Sequence, residues 1–307
     1  MRRIDALLVL MVVIWGVNYS IIKSAFAEIP PQPFNAMRLM IASAVFLVAI
    51  RMTRGRTGPS SSVFFTANPL TRADEWSLFW LGIVGHLGYQ YCFVGGVAET
   101  SVSNAALIIG STPVVVAVAS SLLGRERISL HHWVGAAISI TGIYFVVGRG
   151  ASFGGSTLRG DLLIIVSVAC WAAYTIGASR LIARHSPLFV TGMTMAIGGV
   201  PYVALTFPQF LGLDWARVSV FTWVSLVMSA LLALNVAYLV WYTGVQKIGP
   251  ARTSMYSNLV PLCAMTFAAF WLDEPLSADK LIGAAAVLTG VLLTRLGRKP
   301  ALVPPEE

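Results

Sequence analysis

The chain has 307 residues, of which 57% are hydrophobic and only 11% charged, with a net charge of +8 and a mean hydropathy of +0.77. A soluble domain carries about 25% charged residues, so this composition excludes a water-soluble globular protein and leaves no room for a sizeable soluble domain. The basic excess would suit nucleic acid or anionic partners if it were clustered; it lies instead at the ends of apolar runs, and no nucleic-acid partner is expected.

A membrane-crossing helix needs about 20 apolar residues, and ten such runs fit, at 5–27, 33–51, 75–97, 100–123, 130–148, 159–183, 187–207, 219–246, 250–272 and 276–295. The first run mimics a secretory signal, with Arg2-Arg3 before it and Ala25-Phe26-Ala27 at its end. Trp15, Asn18 and Lys23 interrupt it, and Asp5 through Trp15 recurs as Asp161 through Trp171, so it is expected to remain as part of the fold. Connections such as 28–33 and 98–100 are so short that successive helices must be antiparallel neighbours. The longest connection, 52–74, is rich in Gly, Pro and Ser and reads as a linker. Cys92, Cys170 and Cys263 each fall inside a run, without redox or metal spacing.

With the N-terminus placed in the cytoplasm, 15 basic residues fall at inner ends. Lys23, Arg38, Arg149, Arg159, Arg217 and Lys280 fall at outer ends, completing the 21. The positive-inside rule then puts both termini in the cytoplasm, in a bacterial-type inner membrane.

The segments 126–142 and 274–290 align without a gap, sharing Glu126/Glu274, Ser129/Ser277, Gly135/Gly283, Ala136/Ala284, Ala137/Ala285, Thr141/Thr289 and Gly142/Gly290 at an offset of 148. The offset is 156 between Asp5 and Asp161 and between Trp15 and Trp171, and an eight-residue insertion in the linker accounts for the difference. Each copy holds five runs. Five is odd, so the second copy enters the membrane from the other side, as an inverted repeat. The expected fold is an all-α polytopic membrane protein of ten transmembrane helices, in two inverted five-helix repeats at 1–150 and 151–299, with a cytoplasmic tail at 300–307. Pro113 and Pro261, also 148 apart, each fall in mid-run, where proline bends a helix. They are candidate hinges beside a substrate path, or static kinks that aid packing.

The stretches WGVNYSIIK (15–23), PFNAMR (33–38), SVSNAALIIGSTPVVVAV (101–118), WAAYTIGASR (171–180) and MYSNLVPLCAMTFAAFWLDEPLS (255–277) resemble the drug/metabolite transporter superfamily, in its ten-helix EamA-type branch. The resemblance implies a central cavity between the two inverted halves, lined mainly by helices one, three, four, six, eight and nine. Within the branch the aromatic placement is most similar to the aromatic amino-acid exporters of the YddG type.

Periodicity supplies candidate contacts on those helices. Trp15, Asn18, Tyr19 and Ile22 make one stripe at i, i+3, i+4 and i+7, and His86, Tyr89, Gln90 and Phe93 repeat it. Helix six offers Trp171, Tyr174 and Thr175, and helix eight Asn235, Tyr238, Trp241 and Tyr242. Such residues also join helices or anchor them at the interface. Together they make a polar-aromatic cavity suited to an amphipathic zwitterion, because rings stack on apolar side chains and attract ammonium groups. His86, Tyr89, Trp171 and Tyr242 lead the expected contacts, followed by Asn18 and Tyr174. Lys23 would attract a carboxylate on exit or snorkel to the interface. His86, set well inside its run, is the titratable candidate for proton coupling.

Absences narrow the class. Every Asp and Glu lies near a run's end, so a carboxylate proton relay is not expected, and transport is uncoupled or uses His86. Mid-membrane Lys/Arg pairs that would hold a phosphate are missing. An intramembrane enzyme would need HExxH, GxSG or paired intramembrane aspartates, and none is present. A channel would need a polar or carbonyl-lined filter. The expectation is a monomeric transporter that exports apolar or aromatic amino acids by alternating access, without metal or cofactor. The alternatives are export of aromatic cations, purines or other small metabolites, and a channel.

Overall fold

The structure is a computed structural model and describes residues 3–53, 69–112, 114–116, 119, 130–150, 157–182, 184–248, 253 and 256–296. Most of the expected linker, with Pro113, Glu126 and Ser129, lies outside these residues.

Among the described residues the chain forms ten helical rods and no strand. They are α1 (Arg3–Ala25), α2 (Pro31–Thr53), α3 (Arg72–Gly82) running through a π-helical segment (Ile83–Gly88) into α4 (Tyr89–Glu99), α5 (Val102–Gly110) and α6 (Leu130–Gly150). Then come α7 (Leu158–Ile182), α8 (Pro187–Thr206), α9 (Val220–Met228) continuing through a second π-helical segment (Ser229–Val236) into α10 (Ala237–Ile248), α11 (Val260–Trp271) and α12 (Ala278–Leu296). Five stretches, Arg3–Ala25, Pro31–Thr53, Leu158–Ile182, Pro187–Phe210 and Val220–Lys247, are long and apolar enough to cross a bilayer outright. Their outward faces carry Leu7, Leu10, Val48, Leu162, Val166 and Val200, all exposed. Apolar residues on every side are what a helix between lipid and protein requires.

Rod starts are set by side-chain caps. Thr71 and Asp74 form a capping box (Asp74 N–H to Thr71 Oγ1 3.2 Å, Thr71 N–H to Asp74 Oδ2 3.0 Å). Ser101, Ser186 and Ser219 cap α5, α8 and α9, and Ser277 Oγ accepts from Lys280 N–H. These caps recur in the repeat. Thr71 and Ser219 are 148 apart, and each cap is gripped from the loop that joins the first two rods of the other half. Arg184 Nη1 donates to Asp74 Oδ1 at 3.1 Å, and Glu28 Oε2 accepts from Ser219 N–H at 2.7 Å. Glu28 and Arg184 are themselves 156 apart.

Direct contacts between repeat-equivalent residues mark an approximate twofold axis, since only residues near a twofold touch their own counterparts. Ser139 Oγ donates to Val287 O (3.2 Å), Gln90 Nε2 to Tyr238 Oη (3.4 Å), and the Trp15 and Trp171 rings lie 6.3 Å apart. The 17-residue repeat forms the seam between α6 and α12. A Cβ on Gly290 would come 2.4 Å from Gly135 O, and one on Gly142 would come 3.0 Å from Gly283 O. Small residues let two backbones approach closely where lipid offers no hydrophobic driving force.

Candidate functional site

Between these rods the described residues leave a cavity at the centre, with a volume of about 150 Å³. A water needs ~10–15 Å³ on this measure, so there is room for on the order of ten waters or a small organic molecule. Its wall comes from α1, α4, α5, α7, the second π segment, α10 and α11, with Arg38 added from α2. The lining reaches Val116, Val245 and Ser257, toward the end of the molecule where α1 begins.

Aromatic rings make most of the wall. Trp15 stands edge-on to Trp171 (6.3 Å) and Tyr238 (5.9 Å) and lies 5.7 Å from Trp241. Tyr89 stacks on Phe93 at 5.4 Å and sits 5.0 Å from Trp171; Tyr19 meets Phe93 edge-on. The Trp15 indole N–H donates to Ala233 O (3.1 Å), within the second π segment, and Asn235 Nδ2 donates to Ala42 O (3.0 Å). Asn18 Oδ1 accepts from Ser229 Oγ. Several polar atoms of the wall are buried without a protein partner: Gln90 Oε1, Thr175 Oγ1, Trp241 Nε1 and Arg38 Nε.

Of the candidates read from the sequence, Trp15, Asn18, Tyr19, Tyr89, Trp171, Tyr238 and Trp241 line this cavity. His86, Tyr174, Tyr242 and Lys23 are not among its lining residues. His86 is fully buried, its Nε2 3.2 Å from Thr194 Oγ1 and 3.4 Å from Tyr174 Oη. Tyr174 pairs in turn with Thr194 (2.9 Å), and its ring lies 6.1 Å from that of Tyr242. The first π segment accounts for the departure. It contains His86 and ends at Gly88, just before Tyr89, and its wider turn rotates His86 relative to Tyr89 away from the register of a continuous α-helix. The i, i+3 stripe drawn through His86 assumed a regular helix there.

The residue that sequence reasoning passed over is Arg38. It counted as an outer-end charge, yet it lines the cavity and is 1% exposed. Its position as the sixth residue of an apolar run, with no acidic residue three or four positions away, was the available signal. The π segments are a second omission, and they sit at repeat-equivalent positions, 83–88 and 229–236.

The proline expectation has a visible counterpart in the second half. Asn258 and Leu259 form a turn that interrupts the rod, and Pro261 opens α11 immediately after it. Gly110, the repeat equivalent of Asn258 and the last residue of α5, packs on Pro261, where an added Cβ would lie 2.6 Å from its Cγ. The two interruptions therefore meet at the cavity wall.

At the end opposite the start of α1, charged and polar groups from four rods interlock. Lys23 Nζ donates to Thr100 O, and Asp161 accepts from Thr100 Oγ1 and Asn104 Nδ2. Asp273 takes a left-handed backbone (φ 50°), which aspartate tolerates, and turns the chain so that Glu274 faces α5. Glu274 accepts from Val102 N–H (3.1 Å) and Ser103 N–H (3.3 Å), and binds Lys280 Nζ at 3.0 Å. A carboxylate at a helix N-terminus is favourable in itself. Burial pushes the Glu274 carboxyl up, but Lys280 and the hydrogen bonds from Lys280, Ser101 and Ser103 outweigh it and hold the carboxyl below its ordinary 4.5.

Comparison with known proteins agrees with this architecture. The "Uncharacterized transporter YyaM" of Bacillus subtilis (strain 168) is 27% identical over 280 residues, covering 90% of this chain and 88% of that protein. An "Uncharacterized transporter" of Archaeoglobus fulgidus is 26% identical over 293 residues, covering 94% and 96%. A solved crystal structure superposes with a TM-score of 0.66 at 20% identity, over 97% of this chain and all of the other, and shares the fold. The profile of the EamA-like transporter family matches twice, over residues 2–148 and 158–296. The chain belongs to the EamA-like transporter family, a membrane-embedded branch of the drug/metabolite transporter superfamily.

Proposed function

We propose that this transporter exports amino acids, preferring apolar and aromatic ones, by alternating access in a bacterial inner membrane with both termini cytoplasmic. The observation that carries this reading is the central cavity, in which Trp15, Tyr89, Trp171, Tyr238 and Trp241 surround unpaired hydrogen-bonding atoms of Gln90 and Thr175. Aromatic faces hold an apolar side chain and an ammonium group together, while the polar atoms orient the rest of the molecule. Asn18 and Tyr19 complete the contact set on α1. The network at Lys23, Asp161, Glu274 and Lys280 closes the outer end, so the cavity loads from the cytoplasm. Rocking of the two halves, 1–150 against 151–299, with bending at the paired interruptions beside Pro261 and Pro113, opens that end in turn. The protein works as a monomer without a cofactor.

The test is uptake into proteoliposomes of phenylalanine, tryptophan, threonine, an organic cation and a sugar phosphate, each with and without a pH gradient. Phenylalanine and tryptophan should be carried fastest. Preferential carriage of the sugar phosphate or of the cation would reject the assignment. A rate that ignores the pH gradient is expected, because no titratable carboxylate lines the cavity among the described residues.

A further inference from the structure

Four Asp, Lys or Arg side chains are buried in the described interior, and three have partners that offset their charge or satisfy their polar atoms. Asp74 meets Arg184 and His185, Lys280 meets Glu274, and Asp161 accepts from Thr100 and Asn104. Arg38 differs. Its Nη1 donates to the neutral Asn35 Oδ1 at 3.0 Å, its Nε is buried without a partner, and no carboxylate pairs with it among the described residues. Removing an unpaired charge from water costs several kcal/mol, and within a bilayer an ionisable residue commonly marks a substrate path. A guanidinium placed only for packing would direct its N–H groups to backbone or side-chain acceptors. This one lies in the cavity wall beside Gln90, Tyr89 and Tyr238.

We propose that Arg38 is the anion anchor of the central cavity and binds the carboxylate of the transported molecule. The planar guanidinium offers a fork of donors that fits a carboxylate in bidentate fashion, and Asn35, one turn earlier on α2, fixes its orientation through Nη1. Gln90 complements it. Its Nε2 donates to Tyr238 Oη, which leaves Oε1 as an acceptor for an ammonium group. The anchor also sets a prohibition: an aromatic amine without a carboxylate brings a second positive charge beside a desolvated first one. This inference rests on the amino-acid reading for the nature of the substrate, but the demand for an anion follows from Arg38 itself.

The experiment is equilibrium binding to the purified full chain, read by quenching of its tryptophan fluorescence, with phenylalanine, 3-phenylpropanoate and phenethylamine as probes. The proteins are the wild type, Arg38→Lys and Arg38→Met, each checked for a monodisperse elution profile. For the wild type, both carboxylates should bind at least about tenfold more tightly than phenethylamine, the scale of a desolvated charge pair. Arg38→Met should abolish that preference, and Arg38→Lys should keep part of it. Equal binding of phenethylamine and the two carboxylates by the wild type would overturn the anchor, whatever the variants do. A full preference surviving in Arg38→Met would overturn it as well. Binding of 3-phenylpropanoate through Arg38 without binding of phenylalanine would uphold the anchor and reject amino-acid export. Failure of all three probes would overturn both.

Discussion

Trp171 and His86 sit one helical neighbourhood apart, yet their environments assign them different work. Trp171 touches Trp15, Tyr89, Tyr174 and Tyr238 and faces the cavity. Trp171→Ala should slow phenylalanine transport by about tenfold or more, the equivalent of ~1.4 kcal/mol of lost contact, while the protein still reaches the membrane. His86 instead fastens the first π segment to α7 and α8 through Tyr174 and Thr194. Its removal leaves a void and loosens a buried hydrogen-bonded group, so His86→Ala should lower stability by about 1–3 kcal/mol. A thermal-shift measurement on the detergent-purified protein checks this. An unchanged melting temperature accompanied by lost transport would return His86 to the substrate path. The aromatic residues were legible because composition and spacing single them out. Arg38 was not, since the count of basic residues at helix ends treats an arginine at the sixth position of a run like one at the surface.

At the scale of the element, the feature most visible in the sequence turns out to serve assembly. The paired glycines of the 17-residue repeat hold α6 against α12, remote from the cavity wall. Gly290→Val should therefore destabilise the protein by about 1–3 kcal/mol through overpacking, because its first side-chain atom already meets the Gly135 carbonyl at 2.4 Å. Gly212→Ala, where nothing lies within 4 Å, should leave the melting temperature unchanged. Heating followed by size-exclusion chromatography compares the two, and equal behaviour would remove the seam's structural role. The π segments show the opposite relation. They recur at equivalent places in both halves and border the cavity, but no local composition announces them. A π turn is held by contacts to other rods, here Trp15 to Ala233 O and His86 to Thr194, and propensity along one helix does not encode those.

For the whole molecule, the proposed closure at one end requires Glu274 to remain ionised against Lys280 and the start of α5. Its carboxyl lies below the ordinary 4.5, so its contribution to closure is complete above that value and is lost only as the pH falls through the lowered one. A cysteine placed near this end should gain reactivity toward a water-soluble maleimide in Glu274→Gln at neutral pH, where the thiolate that adds to the maleimide is populated. Unchanged labelling in that variant would sever Glu274 from the gate. The sequence by itself determined the class, the ten rods and the duplication with its odd count of crossings. Lipid makes these legible, since each crossing must be long, apolar and self-satisfied in its hydrogen bonds. Only the tertiary structure decided which side chains share the cavity, that His86 turns away from it, and that Arg38 enters it. Those facts depend on the rotation of each rod about its own axis. A single π turn or one neighbouring helix changes that rotation, and the periodicity of an isolated strip of sequence does not register it.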